Sequence, residues 1–134
     1  MRLRTSFLQR VPVWIESNVG TAAVLISLLI SAWSLYQDNV INDDGVLYLR
    51  TAELFSHGDW RGGMAGFPWP FYSWLIALTG RISGLHLEAA AHLLNALFWG
   101  LTVYFFITLV RQLGGGTKVC AFAALIVLIQ PQLN

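Results

Sequence analysis

The chain has 134 residues, of which 56% are hydrophobic and only 11% are charged, and its formal net charge is +1. Soluble domains carry about 25% charged residues, so this composition, with a mean hydropathy of +0.60, indicates a membrane protein. The near-neutral charge, without a cluster of Lys and Arg, gives no reason to expect a nucleic-acid partner. The single cysteine, Cys120, excludes an internal disulfide.

The first apolar run predicts a transmembrane helix over about residues 19–36. It carries no charge and approaches the length of about 20 residues that crosses the hydrocarbon core. The arginines before it resemble the start of a signal peptide. However, Glu16 follows them, the run is too long for the apolar core of such a peptide, and no small-residue cleavage site closes it. We therefore expect an uncleaved first span.

The segment at residues 37–88 is polar to mixed, and near its start stand the adjacent carboxylates of Asp43 and Asp44. Two carboxylates at a membrane boundary have two interpretations. They start a helix, with Asn42 as a third capping candidate, because side-chain oxygens accept the free N–H groups of a first turn. Alternatively, they form a site in which a carboxylate takes a proton or binds a metal. Both interpretations hold together if the cap positions a functional carboxylate.

The residues after the acidic pair predict a short amphipathic helix on the membrane surface. Tyr48, Ala52 and Phe55 recur at i, i+4 and i+7, which places them on one helix face. Gly58 is expected to end this helix. The glycine-rich residues 61–66 predict a flexible loop, and their spacing is not that of a dinucleotide-binding motif.

A Pro-rich break at residues 68–70 precedes a short apolar stretch at residues 71–79. About ten apolar residues are too few for a span and favour an interfacial or re-entrant helix. Three of the six tryptophans, Trp60, Trp69 and Trp74, fall in this part of the chain. Such aromatic residues are interface anchors or form a surface that contacts the acceptor or lipid.

Two further apolar runs predict spans at about residues 89–110 and 117–130. The polar His92 and Asn95 are expected to bond to neighbouring helices. Basic residues lie at the N-terminus and in the turn between the later spans, and the positive-inside rule places both in the cytoplasm. The segment at residues 37–88 then lies outside, in the periplasm, at the cell exterior or in the lumen of the endoplasmic reticulum.

These elements predict an all-α, multi-pass integral membrane protein. It has about three transmembrane helices and an outer loop with one or two amphipathic surface helices. Because the sequence stops at Asn134 without a basic or polar tail, residues 1–134 are expected to be the N-terminal membrane region of a longer protein, or else an unusually small membrane protein. This region alone is expected to be inactive, because three spans and one loop are too few to enclose a substrate site between helices.

Arg50, Arg61 and Arg81 lie in the outer segment, and a guanidinium group pairs with phosphate through two parallel hydrogen bonds. Headgroup contact and surface ion pairing are the alternatives. Arg50 and Glu53 are spaced for a pair within one helix, which favours ion pairing for Arg50. A zinc site is not expected, since the spacings of His86, Glu88 and His92 do not bring ligands to one helix face.

Taken in order, these motifs resemble the first third of the C-type (GT-C) membrane glycosyltransferases. The likeness is greatest to the branch of the protein O-mannosyltransferases and the aminoarabinose transferase of lipid A. Family members often carry a basic residue just before the Pro-rich segment, where this chain has Phe67. After the first span, the motifs are Asp43-Asp44, Tyr48-Leu49-Arg50-Thr51-Ala52, His57-Gly58-Asp59-Trp60 and Pro68-Trp69-Pro70-Phe71-Tyr72-Ser73-Trp74-Leu75, followed by a long second span.

The resemblance implies inverting transfer of a sugar from a polyprenyl-phosphate-linked donor to an acceptor hydroxyl at the outer membrane face. Matching on Tyr48 and Ala52 makes Asp44 the general base, whereas matching on Gly58 gives that role to Asp43; we favour Asp44. Some relatives hold a divalent metal at the acidic pair and others do not, and the sequence leaves both open. The residues assigned to substrate and phosphate are Tyr48, Arg50, Arg61, Tyr72 and Arg81.

A second hypothesis is a small noncatalytic membrane subunit for assembly or interaction. In that case Asp43 and Asp44 only start a surface helix, and the aromatic residues are only anchors. A transporter fragment is a weaker third hypothesis. Its mark is a charged or broken helix at mid-membrane, and the two clear spans contain neither.

Overall fold

A computed structural model of the chain describes residues 13–34 and 43–129. This part of the chain contains six α-helices and no strand, which confirms the predicted all-α class. The helices are α1 (Val13–Ser34), α2 (Asp43–Ser56), α3 (Trp60–Gly66), α4 (Phe71–Ser83), α5 (Leu87–Gln112) and α6 (Thr117–Ile129).

Helices α1, α5 and α6 overlap the three predicted spans. Among the described residues, α5 is the one helix whose length and apolar character suffice to cross a membrane. Its 26 residues extend about 39 Å, compared with about 30 Å for the hydrocarbon core. The apolar part of α1, Asn18–Ser34, and α6 are shorter. Residues 35, 36 and 130 of the predicted spans lie outside the described residues.

The chain divides into two compact units. The first contains α1 as far as Ile30, α5 from Trp99 onward, and α6. Its helices meet through mostly small side chains, which let helix backbones approach closely. The buried core of this unit is Ala23, Val103, Ile107, Cys120, Ala124 and Val127.

The second unit, residues 31–98, contains α2, α3, α4 and the start of α5. The predicted amphipathic stripe is confirmed, because Ala52 and Phe55 are buried and Tyr48 packs against the same core. The side chains of Arg50, Glu53 and His57, on the other face of α2, are exposed. The buried core of this unit is Ala52, Phe55, Ile76, Ala77, Ala90 and Leu94.

Helix α2 ends at the predicted glycine. Gly58 has a φ of +81°, a left-handed conformation that residues with a Cβ rarely adopt. Its N–H donates to the Phe55 carbonyl at 3.0 Å, and the Asp59 N–H donates to the Leu54 carbonyl at 2.9 Å. These two bonds form a Schellman motif, which satisfies carbonyl groups that the end of a helix leaves free.

The prediction of a flexible loop at residues 61–66 is wrong, because Trp60–Gly66 is helix α3. Asp59 caps this helix, since its Oδ1 accepts the Gly62 N–H at 2.8 Å. Gly63 is buried against Phe55, and a Cβ at this position would lie 2.5 Å from the Phe55 ring. The cap and this close approach hold a helix that its glycine content alone disfavours.

The short apolar stretch after the Pro-rich break forms helix α4. This helix begins directly after Pro70 and continues to Ser83, four residues beyond the predicted stretch. Gly84 then adopts a left-handed conformation, and His86 precedes α5. The Nδ1 atom of His86 accepts the Ala89 N–H at 3.3 Å, so this histidine serves as a cap of α5.

Candidate active site

The acidic pair forms the first turn of α2, and both side chains are exposed. A helix N-terminus favours negative charge, because the free N–H groups carry partial positive charge. Neither carboxylate makes a hydrogen bond or an ion pair in the described part of the chain. The third capping candidate, Asn42, lies outside that part. Within the described residues, both carboxylates are therefore without a partner.

The two acidic residues lie on different faces of α2. Asp44 is four residues before Tyr48, so it shares the packed face that continues to Ala52 and Phe55. Asp43 is offset from this face by one residue, or about 100° around the helix. Asp44 thus stands at the open end of the buried stripe, which supports its choice over Asp43.

An aromatic cluster lies one turn after Asp44. The Tyr48 ring makes edge-to-face contacts with the rings of Phe67 and Tyr72, each at a centroid distance of 5.2 Å. Such contacts contribute about 0.5–1.5 kcal/mol beyond the burial of area. The structure therefore brings together Tyr48 and Tyr72, two predicted site residues that are distant in sequence, and attaches the first half of α2 to α4.

The Tyr72 hydroxyl connects this cluster to α5. It donates to Asn95 Oδ1 at 2.6 Å and lies 3.4 Å from the Ala91 carbonyl. Burial raises the pKa of Tyr72, and the neighbouring Tyr48 adds to the rise. The expectation that Asn95 bonds to a neighbouring helix is confirmed. The sequence did not connect this asparagine with the candidate site.

The three outer arginines lie on three different helices: Arg50 on α2, Arg61 on α3 and Arg81 in the last turn of α4. All three are exposed, and none makes a hydrogen bond or ion pair within residues 13–34 and 43–129. The predicted pair between Arg50 and Glu53 is therefore absent from that part of the chain. Each guanidinium group is exposed to solvent, where an anion can reach it.

A cavity of about 410 Å³ lies beside Arg81. Its walls come from the end of α2, from α3, from α4 and from the start of α5. The lining is mostly apolar and includes Phe55, Trp60, Trp74 and Leu87. The sequence singled out Arg81, Trp60 and Trp74 separately, but it did not predict that they line one cavity, because the walls combine residues from four helices.

Comparisons with known proteins identify no relative. No protein-family model, no curated protein and no solved structure matches this chain. The likeness to GT-C glycosyltransferases therefore rests on the order of the motifs.

A metal at the acidic pair would need further ligands. Within the described residues, no three His, Cys, Asp or Glu side chains cluster closely enough to hold an ion. Asp43 and Asp44 alone provide two carboxylates, while hard cations such as Mg²⁺ bind through one or two carboxylates together with water and substrate phosphate.

Proposed function

We propose that the protein is a GT-C-type glycosyltransferase, which transfers a sugar from a polyprenyl-phosphate carrier to an acceptor hydroxyl. The observation that carries this proposal is the position of Asp44. Its carboxylate is exposed and has no partner in the described chain, and it lies one turn before the Tyr48–Tyr72 contact. A general base needs this combination of a free acceptor and a well-packed support.

The proposed placement in the membrane follows the charge asymmetry of the sequence. Helices α1, α5 and α6 are the proposed spans, with the N-terminus in the cytoplasm and residues 37–88 at the outer face. The length and apolar character of α5 support a span at this helix. Asp44 then meets the acceptor on the side to which polyprenyl-linked sugars are delivered.

In the proposed reaction, a carboxylate oxygen of Asp44 accepts the proton of the acceptor hydroxyl. The hydroxyl oxygen forms a bond to the anomeric carbon of the sugar from the face opposite the carrier. The bond between that carbon and the carrier phosphate oxygen breaks, and its electron pair leaves with the polyprenyl phosphate. Attack from the opposite face inverts the configuration. The phosphate is a stable anion, so its departure needs little help from a general acid.

The surrounding residues have supporting roles in this proposal. Arg50, on the same helix as Asp44, is exposed and unpaired in the described chain, and it is assigned to the charge that develops on the phosphate. Arg61 lies on α3, beyond the far end of α2, and has no role at this phosphate. Tyr48 and Tyr72 form one side of the substrate site and hold the first turn of α2 against α4. The hydrogen bond from Tyr72 to Asn95 keeps this contact in place.

Sugar transfer by membranes that contain the full-length protein tests the proposal. Asp44→Asn removes the base while keeping the shape of the side chain, and we expect transfer to fall by at least about 100-fold. Asp43→Asn is the matched control at the neighbouring position and is expected to retain more activity. Transfer by Asp44→Asn within a few-fold of the wild type contradicts the assignment.

A noncatalytic membrane subunit is the second candidate. It is favoured by the location of both carboxylates in the first turn of α2, where they stabilise the helix dipole whether or not they react. In that case, membranes that contain the wild-type protein transfer no more sugar than membranes that lack it. Asp43→Asn and Asp44→Asn then differ from the wild type only in stability.

A further inference from the structure

The cavity beside Arg81, hereafter the aromatic groove, is a concave site in the second unit that the proposed reaction does not use. Its volume of about 410 Å³ lies in the range of about 300–1,000 Å³ that is typical of small-ligand sites. Phe55 and Trp60, whose ring centroids are 5.3 Å apart, form one part of the lining, and Trp74 and Leu85 contribute to the rest.

The groove combines an apolar interior with a single cation. Arg81 is the only charged residue in its lining, and its guanidinium group has no hydrogen bond or ion pair in the described part of the chain. An unpaired guanidinium group beside aromatic side chains matches a ligand with an anionic phosphate and a hydrocarbon chain. Tryptophan is also the residue that settles at the level of lipid headgroups.

The groove is continuous with the helix that is long enough to cross a membrane. Leu87, the first residue of α5, lies in its lining. On the proposed placement in the membrane, on which this inference rests, the groove opens where α5 enters the bilayer. The molecules present at that position are membrane phospholipids.

The groove is too far from Asp44 to hold the phosphate of the sugar donor. It lies at the end of α2, beside Phe55 and Ser56, whereas Asp44 is in the first turn. Phe55 lies eleven positions after Asp44 on the helix, which corresponds to about 16 Å along the axis. In the donor, the anomeric carbon is bonded directly to a phosphate oxygen. A base that acts near this carbon must therefore lie close to the phosphate.

From these observations we infer that the aromatic groove binds one anionic phospholipid of the bilayer. Arg81 pairs with the phosphate, and an acyl chain lies between Trp60 and Trp74. A net anionic headgroup is preferred because the lining offers one positive charge and no carboxylate to receive a choline group. This assigns Arg81 to a lipid of the membrane, separate from the sugar donor at Asp44.

Tryptophan fluorescence in lipid nanodiscs tests the inference. The full-length protein is placed in phosphatidylcholine with increasing amounts of phosphatidylglycerol whose acyl chains carry bromine, which quenches tryptophan on contact. We expect saturable quenching in the wild type, and the share that is lost in Trp74→Phe identifies the signal from the groove. Brominated phosphatidylcholine at the same amounts is expected to give no saturable component.

Substitutions of two exposed arginines distinguish lipid binding in the groove from a general attraction of anionic lipid to surface charge. Arg81→Gln is expected to require about tenfold more phosphatidylglycerol for half-maximal quenching, because it removes charge-assisted hydrogen bonds. Arg61→Gln is the matched control, since Arg61 is also exposed and unpaired in the described chain but does not line the groove. Ser56→Phe fills the groove from an exposed lining position and is expected to remove the saturable component.

The inference is overturned if Arg81→Gln and Arg61→Gln titrate alike, or if phosphatidylcholine quenches as well as phosphatidylglycerol. It is also overturned if polyprenyl phosphate displaces phosphatidylglycerol from the groove, which would make the groove a carrier site. Asp44→Asn is expected to bind phosphatidylglycerol like the wild type. Lipid binding and sugar transfer can therefore fail independently.

Discussion

Two helices of the second unit start at acidic residues, and the two starts differ in what their carboxylates do. At α3, Asp59 accepts the Gly62 N–H at 2.8 Å and thereby caps the helix. At α2, the carboxylates of Asp43 and Asp44 have no hydrogen-bond or ion-pair partner in the described residues. Asp59 stands just before its helix as the N-cap, whereas Asp43 and Asp44 lie within the first turn of theirs. The same residue type thus caps a helix in one case and has no partner within the described residues in the other.

The comparison shows that an aspartate near the start of a helix does not always act as its cap. An aspartate before a helix predicts a cap, and at Asp59 this accounts for the side chain fully. At α2, the helix forms while the two carboxylates remain exposed, and its stability comes from the packed face with Tyr48, Ala52 and Phe55. We therefore expect α3 to be sensitive to structural substitutions and the acidic pair of α2 to functional ones.

The largest effect on stability is expected at Gly63 of α3. Gly63→Ala places a Cβ about 2.5 Å from the Phe55 ring, and such overpacking costs about 1–3 kcal/mol. Gly66→Ala is the matched control in the same helix, because a Cβ there meets nothing within 4 Å. It is expected to leave stability unchanged or to raise it by up to about 1 kcal/mol. The free energy of unfolding in mixed detergent micelles measures both, and equal values for the two variants would contradict the Gly63–Phe55 packing.

Removal of the cap is expected to have the next largest effect. Asp59→Ala leaves the Gly62 N–H without its acceptor and costs about 1 kcal/mol in unfolding free energy. Asp44→Ala removes a carboxylate without a partner in the described chain, and its cost is expected to be about 0.5 kcal/mol or less. If Asp44→Ala is as destabilising as Asp59→Ala, the contrast between the two helix starts is lost.

The smallest effect concerns the support of α2 through Tyr72. Tyr72→Phe removes the hydrogen bond to Asn95 and is expected to cost about 0.5–1 kcal/mol at neutral pH. Because the pKa of Tyr72 is raised from its ordinary value of 10.0, the folded state holds this proton more tightly than the unfolded state. The associated stability is complete below pH of about 10 and is lost as the pH rises through the raised pKa.

Unfolding measured from pH 8 to pH 11 checks this expectation. The difference in stability between the wild type and Tyr72→Phe should shrink above pH of about 10. A constant difference between wild type and Tyr72→Phe across the whole range would contradict the raised pKa.

The sequence predicted those elements in which the local sequence pattern agrees with the packing in the structure. The stripe of α2 and its end at Gly58 were predicted correctly, because burial and left-handed glycine leave clear patterns. Helix α3 was missed because three of its seven residues are glycine, and local propensity argued against a helix. The cap and the contact of Gly63 with Phe55 override that propensity.

The candidate sites divide in the same way, because the sequence indicated signals within one helix and did not indicate contacts between helices. The acidic pair and Tyr48 are visible as a spacing within one helix, so the sequence proposed them. The partnership of Tyr72 with Asn95 joins residues 23 positions apart, and the sequence supplied only the general expectation that a polar residue in an apolar helix finds a partner. The aromatic groove has walls from four helices, and no spacing within one segment predicts such a combination.

The central claim is that the carboxylate of Asp44 serves the reaction while that of Asp59 serves the fold. Asp44→Asn and Asp59→Asn test it in one measurement of sugar transfer per folded full-length protein. Asparagine is as good a cap as aspartate, so we expect Asp59→Asn to transfer sugar like the wild type. We expect Asp44→Asn to lose at least about 100-fold in transfer at unchanged stability. Equal transfer by the two variants would contradict the claim.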